Sequence, residues 1–325
     1  MTASRLNDDT VHAALELANR APSVSTSQSW RWRVGAHSVH LYTEISRQLP
    51  PTDPDGRAKM ISCGAALHHC VTAFAALGWR AIVHRFPNPA EPDHLAAVEL
   101  HRAAPSATDV ALAGAIHRRR TDRRPFTDSA VGLDDVAVMG ARAARLGVTL
   151  RRLEPAMDFS AALAQAVWTH LDDPGYLQEL TACSGRHASD EGNPARSALS
   201  PDPAAALPGR LFAGPALMTP TGPRNGMGNG VLMVLGTGAD DAVARLRAGE
   251  ATSAVLLTAT ARGLASCLIP EPLEAAETRR GVQELAFENN QIPQMLLRAG
   301  WAHQARVARP QSATAGDVAI ASAEQ

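Results

Sequence analysis

The stretch Cys63-Gly-Ala-Ala-Leu-His-His-Cys-Val-Thr-Ala-Phe-Ala-Ala-Leu-Gly78-Trp79 is almost unbroken in small and apolar residues. Only His68, His69 and Thr72 interrupt it. A helix from about Gly64 to Leu77 with no polar face must be buried nearly all round. Gly78 stops it as a glycine just past a helix end does, and Ala81 to Phe86 reads as the next strand. A second stretch, Ala248-Gly-Glu-Ala-Thr onward to Ala-Arg-Gly263-Leu264, has the same plan. Gly64 and Gly78 are 14 residues apart, as are Gly249 and Gly263, and the two pairs are offset by 185 residues. At that offset Ala66 meets Ala251, Val71 meets Leu256 and Asp55 meets Asp240. Apolar helices resemble one another by composition, so the matched glycines carry the comparison. Two units sharing such a helix point to an internal duplication about a pseudo-twofold axis. The expected fold is α+β: residues 1–105 and 106–325 form tandem halves of antiparallel-type sheets and helices around long buried central helices.

Around these helices the periodicity places further elements. A helix opens at Thr10, with Val11, Ala14, Leu15 and Ala18 on one face, and ends before Pro22. Trp30 to Val34 and Val39 to Tyr42 read as strands. The loop from Pro50 to Gly56 carries aspartates suited to the helix N-terminus that follows. Helices are expected at Asp109–His117, Leu133–Leu146, Met157–Leu171 and Asp240–Arg262. Strands are expected at Val148–Leu153, Val231–Leu235 and Leu296–Trp301. Residues 185–214 are rich in Gly, Pro, Ser, Ala and Asp without periodicity; a loop this long is disordered or a functional lid.

Composition narrows the class. With 325 residues, 45% hydrophobic and 19% charged, the chain suits a soluble protein of two domain-sized units. A net charge of −1 supplies no global field for nucleic acid or an anionic membrane. Lys59 is the only lysine among 31 cationic residues, so an anion site must use Arg forks, backbone N–H groups and hydroxyls. The four cysteines form no C-x-x-C pair, the N-terminal residues are unlike a signal peptide, and no apolar run has membrane-spanning length. A reducing cytoplasm fits.

Three segments could carry chemistry. His117-Arg-Arg-Arg-Thr-Asp-Arg-Arg-Pro-Phe126 holds five arginines and a hydroxyl just after a helix. It is either a phosphate cradle or a solvated basic linker; a nucleic-acid arm would normally bring a basic domain with it. Arg20-Ala-Pro-Ser-Val-Ser-Thr-Ser-Gln-Ser-Trp30 is either a polar loop for a heteroaromatic edge or an ordinary Ser-rich turn. Gly263 to Glu271 is an apolar strand that is either core or a backbone edge against a flat ring. Other chemistries fail. Gly236-Thr-Gly238 follows a strand, yet Asp241 holds the third glycine position and Asp240 adds a second repelling charge. His68 and His69 lie about 100° apart on a helix, unsuited to one metal. No Gly-x-Ser-x-Gly elbow exists.

In chain order these segments resemble the actinobacterial Acg-type branch of the FMN-dependent nitroreductase superfamily, over nearly the whole chain to about Arg309. The specific parts are Arg20 to Trp32, Thr52-Asp-Pro-Asp-Gly-Arg57 with Ser62 to His69, Arg119 to Phe126, Gly209 to Pro215 and Pro293 to Trp301. The resemblance implies a nitroreductase-like fold whose halves form an intramolecular pseudo-dimer, a monomer holding one FMN. Arg119, Arg120 and Thr121 would serve the phosphate and Arg123 the pyrimidine edge. Leu268, Ile269, Pro270 and Glu271 would run along the flavin near N5, with Arg306 or Arg309 on the phosphate. The first half would donate the loop with Pro22, Ser23, Thr26 and Gln28. Family members usually carry His and Asn where this chain has Ser25 and Thr26, and Pro where it has Ser29.

The implied function is flavin-mediated hydride transfer from NAD(P)H or another reductant to a small acceptor, with no obligatory protein acid or base. A lid over the flavin would instead favour FMN sequestration, in keeping with the family's link to stress and dormancy. A cofactor-free scaffold would follow if the altered loop no longer binds.

Overall fold

The computed structural model describes residues 7–24, 28–44, 52–122, 124, 126–153, 175, 230–288 and 290–303. The expected helix at 157–171, the candidate lid at 185–214, and Thr26, Arg123, Arg306 and Arg309 lie outside them. Among the described residues no helix is long and apolar enough to cross a membrane.

Helix α1 (Asp8–Ala18) starts two residues before the expected Thr10, because the Asn7 side chain accepts the Asp9 N–H. Strands β1 (Trp30–Val34) and β2 (Ser38–Thr43) follow. Helix α2 (Arg57–Ala76) begins well ahead of Gly64. Its cap is the Asp53 carboxylate, which accepts the N–H groups of Ala58 and Lys59, each at 2.8 Å. Strands β3 (Trp79–Arg85) and β4 (His94–Arg102) complete an antiparallel sheet of order β1-β2-β4-β3.

Helix α3 (Ala107–Arg118) opens on a capping box between Ser106 and Asp109. Then come α4 (Leu133–Ala144), β5 (Thr149–Leu153), β6 (Val231–Thr237) and α5 (Ala242–Ala261), followed by β7 (Ala265–Leu268). The chain continues through the single turn α6 (Glu271–Glu274), α7 (Ala276–Phe287) and β8 (Ile292–Gly300). The second sheet has order β5-β6-β8-β7, also antiparallel. Strand for strand this repeats the first, with α2 and α5 at equivalent points between the second and third strands.

Alternation on β1 sends Trp30 and Trp32 inward, where they join Leu41, Leu67, Phe74 and Val98 beneath the first sheet. The second sheet packs Met233, Leu235 and Leu297 against Val255 and Ala259 of α5. Its other face is covered by Val282, Ala286 and Phe287 of α7. Hydroxyls inside α2 and α5 do not go begging: Ser62, Thr252 and Thr258 each donate to the carbonyl four residues back.

The central contact lies between α2 and α5. A Cβ built on Gly64 would sit 2.0 Å from the Leu246 carbonyl oxygen and 2.9 Å from the Gly249 Cα. One built on Gly249 would sit 2.0 Å from the Ile61 oxygen and 2.9 Å from the Gly64 Cα. Ile61 and Leu246, like the two glycines, are 185 residues apart, so the contact is reciprocal in the manner of a twofold interface. Gly78 and Gly263, at φ +85° and +86°, end their helices with the same left-handed turn. Charged groups reinforce the crossing. Arg57 of α2 reaches Asp240, Arg245 of α5 reaches Asp55 at 3.3 Å, and Arg85 of β3 makes a two-pronged bond to the buried Glu250, 2.8 Å each.

Gly64→Ala or Gly249→Ala should therefore destabilise the chain by about 1–3 kcal/mol or more, because backbone, not a movable side chain, occupies the space. Gly114→Ala on α3 meets nothing within 4 Å and should be neutral or gain up to about 1 kcal/mol from helix propensity. Urea midpoints of the three variants check this; equal effects would contradict the packing.

Candidate functional site

The Arg-rich segment leaves α3 at Arg119, whose N–H still bonds to Ala115. It then runs beside β7. Thr121 forms a parallel bridge with Ser266, and the Asp122 N–H donates to the Ser266 oxygen at 2.9 Å. Beyond it, Arg298 of β8 donates to the Arg124 carbonyl at 2.7 Å and lies 4.5 Å over the Phe126 ring. Phe126 fills the space that side chains at Gly230 and Gly300 would need. Sequence reading named the segment but not these anchors. Arg298 is the one charged residue in the apolar run Met295–Gly300, which is the signal that could have flagged it.

The polar loop after α1 is tied down at both described ends. The Val24 N–H donates to Ser62 Oγ at 3.0 Å, and the Gln28 amide donates to the Asn19 carbonyl at 2.8 Å. Asn19 Oδ1 also accepts both indole N–H groups, from Trp30 at 3.1 Å and Trp32 at 3.2 Å. Gln28 thus spends a donor on closing the loop. Asn19, next after the helix, organises the return of the chain. Pro22 is buried and Ser23 partly so. Arg20 meets His117 Nδ1 at 3.1 Å, joining the loop's start to the end of α3.

On the strand side, Leu268 closes β7 opposite Leu297 and is partly buried. Ile269 points into the core with Leu232 and Leu273, and its N–H is taken by the Leu296 oxygen. It is a packing residue whose backbone donor is already used. Pro270 starts the α6 turn and Glu271 is buried within it. A shallow cleft is bordered by Val24 of the loop, Asp53 and Arg57 at the head of α2, and Pro270, Glu274 and Met295. Val24 of the loop and Pro270 after β7 thus border one cleft, while Pro22, Ser23, Gln28 and the Arg-rich segment do not line it; the Arg-rich segment is fixed to β7.

Electrostatically the segment is strained. Burial, with Arg120 nearby, pulls the Arg119 guanidinium down to about 10. Its Nε is enclosed without a hydrogen-bond partner among the described residues. Burial and Arg20 lower Arg120, while burial, Arg20 and Arg120 lower His117. Asp122 is not the missing counter-ion: it is engaged by Arg124 at 2.9 and 2.7 Å. Arg20, His117 and Arg120 around it are exposed, so Arg119, with its enclosed Nε, is the cation here that would gain most from an anion. The α5 N-terminus offers no second anion site, because Asp241 caps it through the Ala244 N–H and Asp240 holds Arg57 and Arg245.

No family model matches the chain. It is 52% identical over 294 residues to "Putative NAD(P)H nitroreductase Rv3131" of Mycobacterium tuberculosis, covering 90% of this chain and 86% of that one. It is 35% identical over 311 residues to "Putative NAD(P)H nitroreductase acg" of the same organism, covering 93% and 92%. The chain belongs to this Acg-type nitroreductase family. Among solved structures, a nitroreductase with bound FMN from Bacteroides fragilis aligns at TM-score 0.42 and 12% identity, over 64% of this chain and 97% of its own. The FMN-dependent nitroreductase NfnB of Mycobacterium smegmatis, in complex with NADPH, aligns at 0.39 and 18%, over 62% and 94%.

An uncompensated, desolvated Arg119 should weaken the cofactor-free fold. Arg119→Met, which keeps the aliphatic stem, is expected to raise the stability of cofactor-free protein by roughly 1 kcal/mol in urea unfolding. A lowered midpoint would mean that the guanidinium is already paired.

Proposed function

We propose that this chain is an FMN-dependent oxidoreductase of nitroreductase type, with one flavin held between halves 1–105 and 106–325 that arose by duplication. The observation that carries this reading is Arg119: a desolvated guanidinium with an enclosed, unpartnered Nε, among Arg20, His117 and Arg120. That arrangement fits a phosphate monoester, which supplies two negative charges and several acceptor oxygens. Arg119, Arg120 and Thr121 bind the phosphate. Arg123 serves the pyrimidine edge, and the Leu268–Glu271 strand end lines the ring, with Ile269 holding that strand in the core. The first half contributes the loop with Pro22, Ser23 and Gln28. Matching sheet orders and the reciprocal Gly64–Gly249 contact support the duplication; the names of the 52% and 35% identical relatives support the chemistry.

FMN, when bound, supplies hydride acceptance and donation between NAD(P)H and a small acceptor. The protein's part would be to bind and orient it. We place the chain in a reducing cytoplasm, in keeping with the buried thiols of Cys63, Cys70 and Cys267, none of them in a disulfide. No observation favours FMN storage over turnover.

Freshly purified protein should show flavin absorption, bleached anaerobically by NADPH. Bleaching by dithionite alone would point away from nicotinamide-driven turnover, and a colourless protein that ignores added FMN would end the flavin reading. Arg119→Ala should lose bound FMN by about tenfold or more in affinity; undiminished flavin content would remove Arg119 from the site.

A further inference from the structure

The outer face of the first sheet carries a hydrogen-bonded series of side chains that the flavin reading does not use. Alternation on β2 buries Val39 and Leu41 and leaves Ser38 and His40 on that face. Ser38 Oγ lies 2.8 Å from His40 Nε2, and His40 Nδ1 lies 3.0 Å from His94 Nε2 of β4. A hydroxyl, an imidazole engaged through both ring nitrogens and a third group that orients the imidazole are the parts of an activated serine. His94 is held firmly, being buried and stacked on the Tyr42 ring at 4.4 Å. Glu99, across from Ser38 in the register, lies against His84 at 3.5 Å and His101 at 3.0 Å instead. The sequence has no nucleophile elbow, but such relays are defined by geometry and roles, not by sequence order.

The far end of the relay sets its direction. Burial lowers His94, while a hydrogen bond between its ring and the Ala96 backbone works the other way. Only an accepting carbonyl does that, so the ring donates there. A neutral imidazole has one N–H; Nε2 faces His40, so the hydrogen is on Nδ1 and Nε2 accepts. His40 Nδ1–H then donates to His94, His40 Nε2 is left as an acceptor, and the Ser38 O–H donates to it. That is the protonation state a general base needs. Burial, with His94 and Arg33 beside it, also holds His40 below its ordinary value, so both rings are neutral near pH 7. Space for a reacting group comes from Gly35. Its φ lies outside the left-handed region, so the turn does not itself demand glycine. A Cβ there would sit 3.0 Å from Ser38 Oγ and 3.7 Å from His40 Nε2. The missing side chain therefore keeps open the space flanking hydroxyl and base together. Ser38 and His40 are partly exposed, and Ala36 and His37 of the turn are exposed, so a small molecule reaches this space from solvent.

We propose that Ser38, His40 and His94 form a reactive-serine site that hydrolyses small carboxylic esters, an activity independent of the flavin reading. Ser38 Oγ bonds to the carbonyl carbon while its proton passes to His40 Nε2. The ester C–O bond then breaks, and the departing alkoxide takes the proton back from His40. Water repeats the sequence on the acyl-serine, releasing a carboxylic acid and restoring Ser38, with no change of oxidation state. His40 handles the reacting proton. His94 is a positioning residue, which fixes the His40 tautomer and stabilises the imidazolium that forms. An open face beside the turn at 35–37 suits short acyl groups.

The test uses full-length protein and two probes. A fluorophosphonate, which forms a stable phosphonyl-serine as fluoride leaves, is followed by peptide mass spectrometry, and the adduct should map to Ser38. Hydrolysis of 4-nitrophenyl acetate gives the rate. Ser38→Ala and His40→Ala should each lower that rate by about a hundredfold or more, the scale of general-base catalysis. His94→Phe keeps a ring on Tyr42 but cannot accept a hydrogen bond, so it should also slow hydrolysis; His94→Gln supplies an accepting carbonyl oxygen and should recover much of the loss. Gly35→Ala should slow both probes by filling the space beside the hydroxyl. An unchanged rate in Ser38→Ala, or adducts only at residues other than Ser38, would overturn the proposal. Equal losses in the two His94 variants would overturn the relay. Adduct mapping on wild type decides the matter if a variant fails to fold.

Discussion

The close approach of α2 and α5 at Gly64 and Gly249 is the constraint on which the rest of the structure depends. With Cβ positions 2.0 Å from opposing carbonyl oxygens, no other residue lets these backbones touch. Their contact packs the helix that follows β2 against the one that follows β6. It also brings Arg57 to Asp240, Arg85 to Glu250, and Ser253 to both His68 and His69. The cleft between Val24 and Pro270 is a further consequence, since its walls come from both halves. Bulk at the crossing would widen every one of these distances together. Burying Glu250 with a two-pronged Arg85 partner is costly in desolvation and of small net benefit; its geometry matters more, because it joins α5 to the first sheet at one register.

The two sheets share a strand order but not what surrounds them. The chain from α3 onward carries the Arg-rich segment, and α7 covers the outer face of the second sheet. The chain before α3 has neither among the described residues, and the outer face of the first sheet presents Arg31 and Arg33 over the Tyr42 ring instead. Among the described residues the Arg-rich segment therefore has no counterpart in the chain before α3.

Much of this was legible in the sequence, because it depends on local patterns. The glycines at 64, 78, 249 and 263 gave the buried helices, their ends and the offset between halves. The run of arginines after α3 and the break at Pro22 marked the candidate segments. What stayed hidden was set by contacts distant in the chain or by weak local preference. Strand β4 carries Ala96, Ala97 and polar His94 and His101, which do not announce a strand. Helix α7 is charged, and it holds only because Val282, Ala286 and Phe287 find the second sheet. The first two turns of α2 needed Asp53, capping from upstream of Gly56. Ser266 beside Thr121, Ser62 under Val24 and Ser253 between two histidines are each one hydroxyl whose meaning lies on another element. Ile269, just past β7, packs with Leu232 and Leu273, another placement set by contacts on distant elements.

The most direct measurement of the central claim is flavin stoichiometry against solution mass. A pseudo-dimer with one cation cluster should bind one FMN per 34.3 kDa chain, with light scattering giving the mass of a monomer. Two flavins per chain, or a single flavin bound only by a two-chain assembly, would contradict it.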